Sequence, residues 1–431
     1  MPVSVATQLE QAGMSAAAAA AKQRMFERLK LAAGGGRLEG ARAYWVPGRV
    51  ELLGKHTDYA GGRSLLSALE RGFCVLAAPR PDVAVRFVDV AGGREAIWAA
   101  MAGAAGEGWA GYPAAVLRRL AADGRAPARG VEVYFASDLP QAAGLSSSSA
   151  LVVASYLAVV GGLSGAEREE RERLAAYLAA AEVGVGTHGG SEDHTAMLCC
   201  AAGRWSQYRF CPIRHEADAA APAELALVIA LSGVRAEKGG AAQSRYNRAA
   251  GVAAALAECR SPVTGGAPST LGAALASAPG VLEKLRLALQ RGPVPAGFDR
   301  LELAARLEQF YQESEVLIPA ALAAARGGDW TAFGAAVAAS QAAAERALGN
   351  QIPETVALVR EARALAAVAA SAFGAGFGGA VWALVERERA EPFGRRWLAR
   401  YQEAFAERAG ESLCFVSAAG PAALELDSGG L

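Results

Sequence analysis

The chain has 431 residues, which predicts two domains of about 200 residues each, and 53% of the residues are hydrophobic, enough for a large core. Lysine plus arginine and aspartate plus glutamate number 43 each, so no net charge favours nucleic acid or a membrane surface, and we expect a small-molecule partner instead. Six scattered cysteines and the absence of a secretion-signal pattern in the first 30 residues predict a reduced, cytoplasmic location.

The first half is predicted to start with a helix and to continue as a sheet. Residues 1–37 are alanine-rich with charges at helical spacing, which predicts one amphipathic surface helix ending at the glycines 34–36. Short β-prone runs lie between residues 43 and 88, and residues 131–135 form a further predicted strand. Helices are predicted over residues 150–161 and 167–183, so this half has a mixed α/β pattern (α+β type).

The second half begins after a stretch rich in alanine and proline, residues 217–223. We place the domain boundary there, with an N-terminal domain over residues 1–216 and a C-terminal domain over residues 217–431. The elements predicted for the second domain are a strand at 225–231, a surface loop at 264–279, long helices at 301–325 and 330–348, a further helix, a glycine-rich turn, and a strand reaching residue 385. The uncharged stretch 364–385 is mostly alanine and glycine, which predicts buried protein interior and no membrane span.

A serine-rich segment lies between a predicted strand and an apolar helix and reads LPQAAGLSSSSA over residues 139–150. Its small residues allow a ligand to approach the backbone, and free N–H groups at a helix start attract anions. The hydroxyl groups can also bind phosphate or Mg²⁺. An ordinary serine-rich helix cap is the alternative interpretation of this segment by itself.

Polar residues crowd into a predicted turn between strands, within the segment PGRVELLGKHTDYAGG over residues 47–62. Loops on a rigid sheet commonly carry binding residues. An aspartate with a neighbouring histidine and arginine can bind sugar hydroxyls. A solvated turn with an incidental Arg–Asp pair is the alternative.

Two glycine-rich segments follow. The first, GVGTHGGSEDH over residues 184–194, holds His188, Glu192, Asp193 and His194, but their spacing fits no known zinc pattern. The second, GAGFGG over residues 374–379, precedes a predicted strand. We expect no strand before it, which argues against a dinucleotide fingerprint and so against a flavin or nicotinamide protein.

Together, these motifs resemble those of galactokinases, within the superfamily of galactokinase, homoserine kinase, mevalonate kinase and phosphomevalonate kinase (GHMP kinases). The galactokinase sugar motif has the form PGRVNLIGEHTDYNGG, against PGRVELLGKHTDYAGG here. The family's phosphate loop, PLGGGLSSSAS, is similar to residues 140–150, and its third motif, TGAGFGGC, is similar to residues 373–380. Shorter similarities lie at residues 108–112, 232–246 and 414–420.

The resemblance implies a two-domain, ATP-dependent kinase that phosphorylates the anomeric (C1) hydroxyl of a monosaccharide in the cleft between its domains. Asp193 matches the catalytic aspartate, and Arg49 lies near the same reaction centre. The implied sugar-binding residues are Lys55, His56, Asp58 and Tyr246. The implied ATP-binding residues are Gly144, Ser146, Ser147, Ser148 and Trp109. The implied Mg²⁺ ligands are Ser148 and Glu182. A carboxylate, an arginine and Mg²⁺ beside a backbone cradle suffice for phosphoryl transfer.

The chain departs from the galactokinase pattern at several positions. Ala142 and Ala143 replace two glycines of the phosphate loop, and GGSEDH replaces CGIMDQ around Asp193. Lys55 replaces a glutamate of the sugar motif, and an ammonium donates hydrogen bonds but accepts none. The candidate partners of Lys55 are a sugar carboxylate as in galacturonate, a differently placed sugar hydroxyl, a nucleotide phosphate, Glu51 and Asp58.

The sequence therefore predicts a galactokinase-like sugar kinase of carbohydrate metabolism, with ATP and Mg²⁺ as cofactors and with altered sugar specificity. The alternative is a catalytically silent sensor that binds sugar and nucleotide and acts through a protein partner. Retention of Asp193, Arg49 and the serines favours the enzyme. The sequence is compatible with a monomer or a weak dimer.

Overall fold

The protein is described by a computed structural model over residues 3–35, 39–140, 144–186, 189–235, 240–259 and 270–430. The sequence positions Ala142, Ala143 and His188 lie outside these described residues.

Two helices, α1 (Val5–Gln11) and α2 (Ala16–Ala32), stand where the sequence predicts one. Gly13 lies between them with φ +93°, and a Cβ there would lie 2.6 Å from the Cβ of Ala202. Close packing against residue 202 therefore requires glycine, and this glycine ends the helical path. Apolar residues of both helices pack against strand residues such as Trp45 and Tyr134, so the helices cover one face of the first sheet.

The first sheet contains eight strands among the described residues. They are β1 (Arg42–Leu53), β2 (Arg63–Pro79), β3 (Val85–Asp89), β4 (Arg94–Trp98), β5 (Val131–Ser137), β6 (Arg204–Arg209), β7 (Arg214–Ala220) and β12 (Leu424–Leu426). Their order is β12-β1-β2-β5-β3-β4, with β6 paired to β2 and β7 paired to β6. Only β3 and β5 pair in parallel within this described sheet.

The second sheet is antiparallel and has the order β11-β8-β10-β9. Its strands are β8 (Leu225–Leu231), β9 (Ala369–Ala372), β10 (Ala380–Glu386) and β11 (Leu413–Ser417). The strand β9 comes directly before the glycine segment 374–379, so our expectation of no preceding strand is wrong. Four small residues, Ala-Ala-Ser-Ala, carry little strand propensity, and pairing with β10 makes them a strand.

Helices occupy the space around the sheets. In the first half they are α3 (Gly111–Ala122), α4 (Ser147–Val160), α5 (Arg168–Glu182) and α6 (Glu192–Cys199). In the second half they are α7 (Gly240–Glu258), α8 (Leu271–Ala276), α9 (Val281–Arg291), α10 (Arg300–Tyr311), α11 (Ile318–Gly327), α12 (Trp330–Ala343), α13 (Pro353–Ala364) and α14 (Ala390–Ala404). Two π-helical segments, Gln312–Leu317 and Ala344–Leu348, continue α10 and α12. The helix α8 corrects the predicted loop at 264–279, of which residues 264–269 are not described.

The main hydrophobic core runs through both halves of the protein. It includes Leu52 and Val152 from the first half, and Ile229, Phe333 and Trp382 from the second. The boundary predicted at residues 216 and 217 falls inside β7. The chain passes from the first sheet to the second between β7 and β8 and returns to the first sheet at β12. The predicted mixed α/β class is confirmed. No described helix is long and apolar enough to span a membrane.

Candidate active site

A cavity of about 780 Å³ lies where the two halves meet, and we call it the central cavity. Its wall is built by β1, the serine-rich segment before α4, the first turn of α6 and the glycine segment between β9 and β10. The predicted site residues that line it are Arg49, His56, Asp58, Trp109, Gly144, Ser146, Ser147, Ser148, Glu182, Asp193 and Tyr246. The structure thus gathers residues from distant parts of the sequence around one space.

A buried ion pair joins β1 to α6 at this cavity. Both Nε and Nη2 of Arg49 lie 2.8 Å from Oδ1 of Asp193, and Nη1 of Arg49 donates to the carbonyl of Gly144 at 2.6 Å. Burial opposes the charge of Arg49, but Asp193, Glu192 and Glu51 together hold its pKa above the usual value. Arg49 is therefore a fixed cation that orients one carboxylate and one loop carbonyl.

Ser149 is a site residue that the sequence analysis did not single out. Its hydroxyl donates to Oε2 of Glu182 at 2.7 Å and lies 3.2 Å from Oδ2 of Asp193. It thus links the end of α5 to the start of α6. Its place in the run of four serines was visible in the sequence, but its contacts with Glu182 and Asp193 were not.

The serine-rich segment becomes the start of α4. Ser146 precedes the helix with φ +56°, and Ser147 is the first helical residue. The first backbone N–H groups of a helix have no partners within the helix and attract anions. Ser146, Ser147 and Ser148 line the central cavity beside this helix start. The segment therefore suits the phosphate groups of a nucleotide.

An aromatic surface lies farther along the cavity. Trp109, in a short 3₁₀ helix (Gly108–Ala110), packs against Phe135 with ring centroids 5.6 Å apart. The guanidinium of Arg94 lies 5.6 Å from the Trp109 ring and pairs with Asp89. All four residues line the central cavity, and a flat apolar ring with neighbouring polar groups suits a nucleobase.

Another part of the cavity wall is formed by His56, Asp58 and Tyr246. Nε2 of His56 lies 2.9 Å from the carbonyl of Ala375, and Nδ1 lies 2.8 Å from the hydroxyl of Tyr59. Nε2 therefore carries the proton, and Nδ1 accepts from Tyr59. Burial lowers the pKa of His56 to about 4, so its ring is neutral at physiological pH.

Asp58 is held by the backbone of its neighbours. Its Oδ1 accepts from the N–H of Tyr59 at 2.8 Å, and its Oδ2 accepts from the N–H of Glu192 at 3.0 Å. A Cβ on Gly190 would lie 2.2 Å from Oδ2 of Asp58, so this contact requires glycine at position 190. The GGSEDH segment therefore supports the sugar motif through its backbone.

Of the four predicted sugar-binding residues, all described in the structure, Lys55 is the one that does not line the central cavity. Its side chain is buried, and Nζ donates to Oγ of Ser340 at 3.1 Å. Ser340 donates in turn to Oε1 of Glu313 at 2.8 Å, and the same oxygen accepts from the N–H of Gly54 at 2.9 Å. The ammonium points into the interior beside α12, so this arrangement lends no support to a direct contact of Lys55 with substrate, and that contact stays a prediction.

Two further glutamates line the central cavity and were not among the predicted site residues. Burial raises the pKa of Glu51 to about 7, against the opposing effects of Lys55 and Arg49. Burial also raises the pKa of Glu192 well above its usual value, and Ser64 donates to its Oε2 at 2.7 Å. The signal for Glu51 was present in the sequence, because the quoted galactokinase motif has asparagine at this position.

The oxygen atoms near the serines fit Mg²⁺ bound together with a nucleotide. Ser148 offers a hydroxyl and Glu182 a buried carboxylate, and both line the cavity. The described part of the chain contains no cluster of three or more His, Cys, Asp or Glu side chains that could hold a metal alone. An Mg²⁺ ion here would take its other ligands from phosphates and water, as this ion commonly does.

Comparisons with known proteins agree with this geometry. The galactokinase galactose-binding signature matches residues 36–79, and the GHMP kinase N-terminal and C-terminal domains match residues 111–201 and 320–403. A galactokinase of Mycobacterium bovis (strain BCG / Pasteur 1173P2) is 31% identical over 354 residues, which cover 81% of this chain and 90% of that protein. A galactokinase of Roseiflexus sp. (strain RS-1) is 29% identical over 388 residues, 86% of this chain and 90% of that protein.

The fold is also similar to that of a solved galactokinase. Lactococcus lactis galactokinase, complexed with galactose, superposes with a TM-score of 0.75 at 21% identity, over 92% of this chain and 97% of that one. The resemblance predicted from the motifs is thereby confirmed. The chain therefore belongs to the galactokinase family of the GHMP kinases, whose members are ATP-dependent sugar kinases.

Proposed function

We propose that this protein transfers the γ-phosphoryl group of ATP to the anomeric hydroxyl of a galactose-like monosaccharide. The observation that carries the proposal is the Arg49–Asp193 pair, which stands on the wall of one cavity together with the serines at the start of α4. A carboxylate that can orient the attacking hydroxyl thus lies in the same cavity as a site that can bind the phosphates.

Asp193 is the proposed proton acceptor. Arg49 holds Oδ1 through two nitrogens, and Ser149 lies within hydrogen-bond distance of Oδ2, so the carboxylate has a fixed orientation. A sugar hydroxyl beside Asp193 would be oriented for attack and would lose its proton to the carboxylate during transfer. Because Arg49 is buried and charged, it also stabilises the negative charge that spreads over the phosphoryl oxygens.

The phosphates would be held by the N-terminus of α4 and by the hydroxyl groups of Ser146, Ser147 and Ser148. Glu182 and Ser148 are the proposed ligands for Mg²⁺, which when bound neutralises phosphate charge. Trp109 would pack against the nucleobase. These assignments follow from which residues line the cavity and from the chemistry of their side chains.

The sugar would be bound on the side of His56, Asp58 and Tyr246. Both ring nitrogens of His56 already have partners, so His56 would contact the sugar through its ring face and edge. The hydroxyl of Tyr246 and the carboxylate of Asp58 are proposed polar contacts for sugar hydroxyls. Since Lys55 is directed to Ser340, the galacturonate hypothesis has no contact from Lys55 to support it, and a neutral hexose or pentose is the preferred substrate class.

The test is ADP release from Mg·ATP against a panel of galactose, galacturonate, arabinose, fucose and heptoses. Phosphorus NMR of the product would report whether the phosphate is on the anomeric carbon. We expect turnover with a neutral sugar and an anomeric phosphate. Binding of both ligands without ADP release would instead support the silent sensor, and a non-anomeric product would contradict the proposed position of transfer.

A further inference from the structure

Glu51 lies at the centre of the sugar motif but has no role in the mechanism described above. It is two residues after Arg49 on β1, so both side chains leave the same face of the strand, toward the central cavity. Glu51 is only 2% exposed. The wall of the cavity thus carries a buried glutamate next to the arginine that orients Asp193.

The two carboxyl oxygens of Glu51 are in different situations. Oε2 accepts from the N–H of Gly374 at 3.0 Å, which ties β1 to the glycine segment of the second half. Oε1 is buried and has no hydrogen-bond donor among the described residues. An unsatisfied buried acceptor of this kind is unfavourable, and a donor on a bound ligand would remove that cost.

The charges around Glu51 do not supply that donor. Arg49 on the same strand is bound to Asp193 and Gly144, and Lys55 in the following turn is bound to Ser340. Lys55 forms no ion pair with any described carboxylate in the structure. Glu192 of α6 and Glu313 of the first π-helical segment face the same region, and neither forms a hydrogen bond with Glu51 in the structure.

We propose that Glu51 is a further substrate-binding residue, whose Oε1 accepts a hydrogen bond from a hydroxyl group of the sugar bound in the central cavity. The proposal rests on the proposed sugar kinase function, because it assumes a sugar in this space. Relative to the quoted galactokinase motif, the chain has lost an acid at position 55 and gained one at position 51. Position 51 on the strand thus carries a carboxylate that lines the cavity, whereas the side chain of residue 55 is part of the interior.

A comparison of galactose with its monodeoxy analogues would test this contact. The parent is expected to lose about 10-fold or more in kcat/KM for one particular deoxy sugar, the scale of a hydrogen bond to a charged acceptor. In Glu51→Met, which keeps the side-chain length without an acceptor, that same ratio should fall to about 2-fold or less. The matched control is Glu313→Gln, which removes an equally buried carboxylate of the same region that does not line the cavity. It should leave the deoxy ratios as in the parent, because the amide oxygen of glutamine can still accept from the N–H of Gly54.

A second readout separates binding from a purely structural role. A hydroxyl that donates to Glu51 favours the ionised carboxyl, so sugar binding near pH 7 should release protons. Calorimetric titration of the sugar in buffers of different ionisation enthalpy would measure this release, and Glu51→Gln should abolish it.

Unchanged deoxy ratios in Glu51→Met, or the same proton release in Glu51→Gln as in the parent, would overturn the role of Glu51. The sugar kinase proposal would survive that result, because turnover by the parent supports it independently. A parent that neither binds nor phosphorylates any sugar of the panel would overturn both proposals.

Discussion

Replacement of Lys55 by methionine is expected to lower the stability of the protein much more than it changes sugar binding. The Lys55 side chain is 1% exposed, and its ammonium reaches Glu313 through the hydroxyl of Ser340. Methionine has a similar volume but carries neither donor nor charge. The variant therefore keeps the packing of the site and leaves Glu313 as a buried carboxylate without its cation.

The expected magnitude follows from these contacts. Removing one partner of a buried ion pair generally costs about 3–5 kcal/mol. Here a serine separates the two charges, and the N–H of Gly54 still donates to Glu313 at 2.9 Å, so we expect about 2–3 kcal/mol. The double variant Lys55→Met/Glu313→Gln removes both charges. Its loss of unfolding free energy should be about 1–2 kcal/mol smaller than the sum of the losses in the two single variants.

Urea unfolding, followed by the fluorescence of the seven tryptophans, would give the change in unfolding free energy from the shift of the midpoint. The KM for the sugar should change by less than about 5-fold, since Lys55 does not line the cavity. A direct bond from Lys55 to a substrate carboxylate would instead cost about 2–5 kcal/mol, which is about 30-fold or more in affinity. A Lys55→Met protein with parental stability and such a loss of sugar affinity would refute this reasoning.

Four further substitutions test the site. Asp193→Asn should lower kcat by about 100-fold or more with nearly unchanged nucleotide binding, as measured by ADP release and by ATP titration; near-parental turnover would remove Asp193 from the mechanism. Ser147→Ala and Ser148→Ala should raise the KM for ATP and alter the Mg²⁺ dependence while the fold stays intact, and parental values for both would contradict the phosphate assignment. Burial lowers the pKa of His56 to about 4, whereas the unfolded chain has a histidine pKa of about 6.5. Between these two pH values the unfolded chain binds a proton that the folded chain does not, so the stability of the fold decreases as the pH is lowered through this range. His56→Asn should remove about 2 kcal/mol of the stability difference between pH 7 and pH 5 in urea unfolding, whereas an unchanged pH dependence would show that His56 is not the group responsible.

Elements with a uniform local pattern were predictable from the sequence. Strand β8 occupies the predicted residues 225–231, because seven consecutive apolar residues between polar ones fit a buried strand. The motif residues also gather around one cavity, as the resemblance to galactokinases implies. Strand β9 and helix α8 were missed because alanine-rich and glycine-rich segments carry little local preference, and their conformation depends on pairing and packing partners elsewhere in the chain.

Side-chain directions within the sugar motif were less predictable. The position of Lys55 in the motif suggested a contact with substrate, but its direction is decided by Ser340, which is 285 residues away in the sequence. Glu51 was considered only as a partner for Lys55, although the motif comparison already placed an acid where galactokinases have asparagine. A motif fixes the path of the backbone, whereas the charges packed behind it decide which side chains face the cavity.

Contacts from the second half reach Glu51, Gly54 and His56 of the sugar motif. Glu313 binds the N–H of Gly54, Arg306 binds the carbonyl of His56, and the carbonyl of Ala375 binds the imidazole of His56. Glu51 is bound in turn by the N–H of Gly374. These bonds hold the turn between β1 and β2 against the second half, so substitutions in α10, α12 or the glycine segment can redirect the motif side chains without touching the sugar. We therefore propose that sugar recognition in this chain depends on the contact between its two halves.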